Sequence, residues 1–271
     1  MDDLEPLAAE IRNADTAAVL TGAGISAPSG VPTFRGDDGV WDAFDEGQFT
    51  YGRFQRDPAG FWEDRVELYR TMFAEEYEPN AAHDALAELT QEGMLESVLT
   101  QNTDELHAKA AAQAETVDGT GQNETGIDEF ASHESILELH GNARRVRCSD
   151  CGAREASDPI VERAEAGELP PRCECGGVYK PDVVLFGEQL SKAILQRARS
   201  LARESDVFLA VGSSLEVEPA ASLPRLASST GGTLAIINLE STPCDNSATM
   251  CFRRDVIEVL PRLRELTSDN E

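Results

Sequence analysis

The fold of this chain is indicated first by the stretch AAVLTGAGIS at residues 17–26. Residues 17–21 have the small, apolar character of a buried β-strand, and the glycines that follow at once predict a tight turn. Three further runs resemble this strand, at residues 97–100, 207–211 and 234–237. Helix-like stretches accompany them, at residues 4–11, 80–92, 189–204 and 256–266. This alternation predicts an α/β fold with a mostly parallel sheet and helices on both faces.

Small or amide-bearing polar residues follow each of the four predicted strands. These segments are GAGIS at 22–26, QNTD at 101–104, GSS at 212–214 and NLE at 238–240. Ligands of open parallel sheets bind outside the carboxyl ends of the strands, so we expect the four segments to form one site. The glycine-rich turn is similar to a dinucleotide-binding motif, although Ala27 stands where a third glycine is usual. A plain tight turn is the alternative.

The 271 residues are strongly acidic, with 50 Asp and Glu against 23 Lys and Arg and a formal net charge of −27. This balance excludes nucleic-acid binding through a general basic patch and disfavours attachment to an anionic membrane surface. No apolar window of about 20 residues predicts a membrane span, and the acidic start is unlike a signal peptide. We therefore expect a cytoplasmic protein. An acidic coat suits the salt-rich cytoplasm of a halophile, and attraction of basic protein partners is the alternative.

Four of the six cysteines form two close pairs, which are Cys148 with Cys151 and Cys173 with Cys175. Four thiolates on two tight turns suit a tetrahedral Zn²⁺ with no open position, and hence a structural site. A redox pair is the alternative. Residues 142–180 hold these pairs and little core material, so they predict a small inserted zinc-ribbon module.

Among the four histidines, His140 is the candidate general base, because imidazole titrates near neutrality. A lone histidine is more often structural, and His83 and His107 are interpreted as packing or capping residues. Residues 111–133 are rich in acidic and small polar residues and predict a flexible acidic loop.

Taken together, these motifs resemble those of the sirtuins, the NAD-dependent protein-lysine deacylases. The matching segments occur in the family's order: GAGISAPSGVPTFR at 22–35, QNTDELH at 101–107, HG at 140–141, the four cysteines, VVLFGE at 183–188, GSSL at 212–215 and NLE at 238–240. The resemblance implies a Rossmann-like catalytic domain formed by residues 1–141 and 181–271, with the zinc module inserted between them.

The resemblance also implies a reaction. NAD is a co-substrate, the acyl oxygen of the substrate lysine attacks the nicotinamide ribose, and nicotinamide leaves. His140 then acts as general base on a ribose hydroxyl, and the products are nicotinamide, O-acyl-ADP-ribose and the free lysine. Catalytic roles are implied for His140, Asn102 and Asp104. Substrate contacts are implied for Val184, Phe186, Gly187, Glu188 and Val217. Cofactor contacts are implied for Gly22, Ala23, Gly24, Ser26, Phe34, Arg35, Gln101, Asn102, Asp104, Gly212, Ser213, Ser214, Asn238, Leu239 and Glu240.

The acyl preference follows from two departures. Thr33 stands where many deacetylases have Asp. Thr is frequent at this position in the branch of the family that removes acidic acyl groups. That branch also carries a Tyr-x-x-Arg pair, at positions that hold Arg65 and Leu68 here. We therefore predict deacetylation of acyl-lysine proteins. Desuccinylation, other deacylation and mono-ADP-ribosyl transfer are the enzymatic alternatives, and a zinc-ribbon recruitment module is the non-enzymatic one.

Overall fold

A computed structural model of the chain describes residues 3–34, 39–117 and 133–268. Its strands in chain order are β1 (Ala17–Thr21), β2 (Ser97–Thr100), β3 (Ile136–Glu138), β4 (Gly141–Cys148), β5 (Arg154–Ala156), β6 (Tyr179–Val183), β7 (Val207–Val211), β8 (Thr233–Ile237) and β9 (Met250–Phe252). Its α-helices are α1 (Glu5–Asn13), α2 (Val40–Ala43), α3 (Tyr51–Arg56), α4 (Pro58–Met72), α5 (Ala81–Gln91), α6 (Leu106–Val117), α7 (Ser157–Glu165), α8 (Lys192–Glu204), α9 (Ser222–Ser229) and α10 (Val256–Ser268).

The larger sheet has six parallel strands in the order β3-β2-β1-β7-β8-β9. The four strands that the sequence predicts are its four central strands, so the predicted parallel α/β architecture is confirmed. Their residues read as continuous apolar runs because both faces are covered. The edge strands β3 and β9 have three residues each, too few to give a pattern in the sequence.

Alternate residues of each central strand enter two separate cores. Val19 of β1 and Leu209 of β7 pack with α1, α5 and α10 on one face. Leu20 and Phe208 pack with α8 and α9 on the other face. This alternation follows from the two-residue period of a strand, and it lets the sheet bind helices on both of its faces.

The smaller sheet is antiparallel, in the order β5-β4-β6, and carries α7. It packs against α4 through a third core, in which Trp62 Nε1 donates to the Tyr179 carbonyl oxygen at 2.8 Å. The sheet begins at Gly141 and ends at Val183, so its strands extend just beyond the predicted module 142–180 at both ends. The division into domains stays a prediction.

The predicted acidic loop 111–133 needs a correction, because residues 111–117 belong to α6. The alanines there are good helix formers, and Ala110 and Ala111 are buried, so the helix continues past the predicted boundary. The remaining residues of the segment up to 132 lie outside the described ranges. Within those ranges, no helix has the length and apolar character needed to cross a membrane.

Candidate active site

Two glycine turns, after β1 and after β7, contact each other at the carboxyl edge of the larger sheet. The Gly22 N–H donates to the Val211 carbonyl oxygen at 3.0 Å, and the Gly24 N–H donates to the Gly212 carbonyl oxygen at 2.8 Å. A Cβ on Gly24 would lie 2.9 Å from the Gly212 Cα, and Gly212 has a φ of 57°. The close approach of the two backbones therefore requires glycine in both turns.

Backbone N–H groups at these turns remain available to a ligand. Those of Ala23, Ser213 and Ser214 donate to no residue that the structure describes. Ser213 is nonetheless 8% exposed, and an unpaired N–H at such a buried position calls for an acceptor. Unpaired N–H groups at a strand-to-helix turn fit an anion, so this donor set fits the pyrophosphate of NAD.

A side-chain network joins the turn after β1 to the segments after β2 and β7. Asn102 Nδ2 donates to Ser26 Oγ at 3.0 Å, and Gln101 Nε2 donates to Ser213 Oγ at 2.9 Å. Burial raises the pKa of Asp104, and hydrogen bonds that include one from Ser26 oppose that rise. Three of the four predicted segments are thus joined directly by hydrogen bonds.

His83 determines which groups donate and which accept in this network. Its Nδ1 lies 3.3 Å from the Asn80 N–H, which can only donate, so the ring proton is on Nε2. Nε2 then donates to Ser26 Oγ at 3.3 Å, and burial lowers the pKa of His83 to about 4. Because the Ser26 oxygen accepts from His83 and Asn102, its own proton is directed to Asp104. The sequence predicts capping for His83, which the structure confirms, but gives no sign of the link to Ser26.

His140 lies in the turn between β3 and β4. Its Nδ1 is 3.1 Å from the Gln101 carbonyl oxygen, which can only accept, so Nδ1 carries the proton and Nε2 keeps a lone pair. Burial lowers the pKa of His140, and the hydrogen bond to Gln101 opposes this shift. The ring is therefore in the tautomer and charge state that a general base needs at neutral pH.

The predicted substrate segment 183–188 is ordered by backbone hydrogen bonds along one side. The Val184 N–H donates to the His140 carbonyl oxygen at 2.9 Å, and the Phe186 carbonyl oxygen accepts from the Tyr51 N–H at 2.9 Å. On the other side, the Gly187 N–H finds no acceptor in the described part of the chain, and the same holds for the Val217 N–H. These two free groups are available to pair with an added strand.

Trp41 joins the predicted acyl-lysine contact Phe186 to the predicted cofactor contact Phe34. Its ring centroid lies 5.3 Å from that of Phe186 in an edge arrangement and 5.6 Å from that of Phe34 in a stacked arrangement. Trp41 is not among the predicted site residues. The signal in the sequence is its position shortly after the first motif, as one of two tryptophans in the chain.

The fourth predicted segment follows β8 at the same edge. The Asn238 N–H donates to the Phe252 carbonyl oxygen at 3.1 Å, and Asn238 Nδ2 donates to the Glu240 carbonyl oxygen at 2.9 Å. These bonds shape a short turn that leaves the Leu239 side chain 68% exposed. The predicted cofactor contact Arg35 lies outside the described residues.

The four predicted zinc ligands come together in the smaller sheet. Their sulfur atoms all lie within 4.8 Å of one another, with Cys148 Sγ 3.5 Å from Cys175 Sγ and Cys151 Sγ 3.7 Å from Cys173 Sγ. A tetrahedral Zn²⁺ with Zn–S bonds of about 2.3 Å places its ligands about 3.8 Å apart. The donor set therefore fits one structural zinc ion.

Arg65 is a buried cation on the face of α4 that packs toward the third core. Its side chain makes no hydrogen bond or ion pair with the residues of the described ranges, although the residue is only 8% exposed. Burial lowers the pKa of Arg65 to about 10. A buried guanidinium of this kind can bind an anion through paired N–H groups.

Comparison with protein families and known proteins agrees with this geometry. The profile of the Sir2 family matches residues 22–121 and 112–219. A Haloarcula marismortui NAD-dependent protein deacetylase is 47% identical over 266 residues, covering 97% of this chain and 94% of that protein. A Sulfurisphaera tokodaii NAD-dependent protein deacetylase is 41% identical over 245 residues, covering 90% and 88%.

Solved structures show the same relationship. A structure described as the basis for the mechanism and regulation of Sir2 enzymes is 37% identical, with a TM-score of 0.79, and covers 100% of this chain and 99% of that chain. A complex of Sir2 with a p53 peptide and NAD⁺ is 30% identical, with a TM-score of 0.78, and covers 97% and 98%.

Proposed function

This chain belongs to the Sir2 family and is an NAD-dependent protein-lysine deacetylase, and we propose that His140 is its general base. The observation that carries this proposal is the hydrogen bond from His140 Nδ1 to the Gln101 carbonyl oxygen, because it leaves Nε2 as the free base. Gln101 in turn bonds to Ser213. The base is thus held by the same network that we propose for the cofactor.

NAD would be held by the carboxyl edge of the larger sheet. The unpaired N–H groups of Ala23, Ser213 and Ser214 would receive the pyrophosphate, and the turn at 238–240 would hold the adenosine. When bound, NAD supplies an activated ribose carbon whose bond to nicotinamide breaks as the acyl oxygen attacks. The chain's own part is to order the ribose with Asn102 and the Ser26–Asp104 pair.

His140 would remove a proton from a ribose hydroxyl once nicotinamide has left. A positioned general base contributes about 10² to 10⁴ in rate, and it must be neutral to accept the proton. Burial lowers the pKa of His140 and thereby favours this neutral form. Replacement of His140 by Ala is expected to stop product formation but to leave nicotinamide exchange, which precedes the proton transfer.

Acyl-lysine proteins would bind as an added strand between Gly187 and Val217, with the acyl chain between Val184 and Phe186. Main-chain pairing reads the peptide backbone, so selectivity for the flanking sequence is expected to be loose. Basic substrates would be drawn to the acidic surface, although high salt screens most of that attraction. We further propose that this acidity reflects a salt-rich cytoplasm.

Desuccinylation is the second candidate, and Arg65 is the observation that favours it. A single guanidinium can hold a carboxylate through two N–H groups, although Arg65 stands at the Tyr position of the usual pair and Leu68 at its Arg position. We propose deacetylation as the main activity. Turnover of otherwise identical acetyl-lysine and succinyl-lysine peptides tests this, and faster desuccinylation that is lost in Arg65→Met would overturn the preference.

A further inference from the structure

The segment Val183–Glu188 is contacted at both ends by a lysine that lies outside all the predicted motifs. The role of this segment in pairing with substrate rests on the proposed function. Lys180 Nζ donates to the Val183 carbonyl oxygen at 2.6 Å and to Glu188 Oε2 at 3.0 Å. One ammonium group therefore contacts both ends of the segment.

Glu188 continues this arrangement into the middle of the segment. Its Oε2 also accepts the Leu185 N–H at 2.9 Å, and its own N–H donates to the Leu185 carbonyl oxygen at 2.9 Å. These bonds fold residues 185–188 into a tight turn in which Gly187 has a φ of 75°. The Gly187 N–H takes no part in these bonds among the described residues, so an added strand could use it.

The Lys180–Glu188 pair is substantially shielded from water. Its side chains are 15% and 22% exposed, respectively. Burial lowers the pKa of Lys180, and the Glu188 carboxylate opposes that shift, so the charge is held in place by its partner. A cavity of about 440 Å³ borders the pair on one side. Loss of the ammonium would leave two acceptors without their donor.

Lysine is itself unusual in this chain, in which only 3 of the 23 basic residues are lysines. An ammonium is a compact charge with three rotatable donors, whereas a guanidinium is a planar fork suited to one bidentate acceptor. The ammonium of Lys180 uses its rotatable donors to serve a backbone carbonyl and a carboxylate from a single nitrogen. A planar guanidinium at this position would have to place separate nitrogens on the two acceptors.

The smaller sheet delivers Lys180 to this position. Lys180 pairs with Arg147 across β6 and β4, and the neighbouring Tyr179 pairs with the zinc-ligand candidate Cys148. The sheet that holds the cysteines is therefore connected through one strand to the segment that would receive substrate.

We infer that Lys180 is a substrate-positioning residue, which holds the segment Val183–Glu188 in the shape that pairs with the acyl-lysine peptide. Replacement by Met should raise the KM for an acetyl-lysine peptide about tenfold, the equivalent of roughly 1.4 kcal/mol, and change kcat by less than about twofold. ADP-ribose affinity should match wild type, because the hydrogen bonds of Lys180 go to Val183 and Glu188 and not to the segments of the cofactor edge. Lys180→Arg, which keeps the charge, should recover part of the loss.

The experiment compares peptide kinetics, ADP-ribose calorimetry and melting temperature for wild type, Lys180→Met, Lys180→Arg, Glu188→Gln and the Lys180→Met/Glu188→Gln double variant. Arg70→Met is the control, because it breaks an ion pair with Glu165 of α7, away from the segment. Support is a raised peptide KM in both single variants, less than additive in the double variant, with the control unchanged.

Two results would overturn the inference. One is a wild-type peptide KM in folded Lys180→Met, and the other is a KM that rises equally in the Arg70 control. If Lys180→Met does not fold, the same decision rests on Lys180→Gln, which keeps side-chain N–H donors but loses the charge. Wild-type protein without NAD-dependent turnover would instead refute the proposed function.

Discussion

Replacing Arg145 with Met is expected to slow deacetylation but not nicotinamide exchange, because Arg145 stabilises the turn that contains His140. Arg145 Nη2 lies 2.5 Å from Glu138 Oε2, and the two side chains are 8% and 9% exposed. Glu138 ends β3 two residues before His140, and Arg145 lies on β4 beyond it. Asn142 Nδ2 also donates to Glu138 Oε1 at 2.8 Å. The pair therefore closes the turn from both sides.

The magnitude follows from this burial. Breaking a buried ion pair by removing one partner costs about 3–5 kcal/mol, since a charge is left in a dry environment. Asn142 still supports the carboxylate, so we take the lower end, about 3 kcal/mol, which lowers the melting temperature by about 6–12 °C for a domain of this size. Arg145 Nε also lies 3.6 Å from Asp182 Oδ2, but Asp182 keeps its ion pair with Arg154 at 3.1 Å. The Glu138→Gln/Arg145→Met double variant removes the charge of Glu138 as well and should regain most of that loss.

The activity readout is the ratio of two rates. A displacement of about 1 Å in a catalytic group can cost about 10²-fold in rate, so deacetylation by Arg145→Met should fall by about that factor at a temperature where it is folded. Exchange of labelled nicotinamide into NAD, which precedes the action of His140, should stay near wild type. Equal loss of both rates, or a double variant no more stable than the single one, would refute this reasoning.

Three further predictions concern His140, the cysteines and Gly24. Burial lowers the pKa of His140 in the free enzyme, so the neutral base survives to lower pH, and the acid limb of kcat/KM should have its midpoint below pH 6.5; a midpoint above that value contradicts the assignment. The purified protein should carry one zinc ion per chain by elemental analysis. The Cys148→Ser variant should lose the metal, and its melting temperature should fall by several degrees. A stable zinc-free protein would exclude a structural zinc site. Gly24→Ala should weaken ADP-ribose binding at least about tenfold in calorimetry, because the new Cβ would lie 2.9 Å from the Gly212 Cα, and unchanged affinity would show that the two turns are not part of the cofactor site.

The central strands and their polar ends could be predicted because each is a short apolar run followed by small or amide residues. The zinc ligands could be predicted from cysteine spacing, which needs no knowledge of the rest of the fold. In contrast, β3 and β9 are too short for a pattern, and the buried face of α4 mixes Trp62 with Arg65. A cation on a core-facing position weakens the helical period that sequence reasoning depends on.

Residues that position a site residue without belonging to a motif leave no signal of their own in the sequence. His83 contacts Ser26 from a different helix, and Lys180 contacts Glu188 across a turn. Neither residue stands in a motif with chemistry of its own, so only the fold brings each one to its partner. The tautomer of His140 likewise depends on a backbone carbonyl, to which every residue type contributes equally.

The most direct test is mass spectrometry of an acetyl-lysine peptide incubated with the enzyme in the presence and absence of NAD. The peptide should lose its acetyl group only when NAD is present, with nicotinamide and O-acetyl-ADP-ribose appearing in equal amounts, and His140→Ala should form neither the free lysine nor the acetylated product. Absence of any NAD-dependent loss of an acyl group, or full activity in His140→Ala, would contradict the assignment.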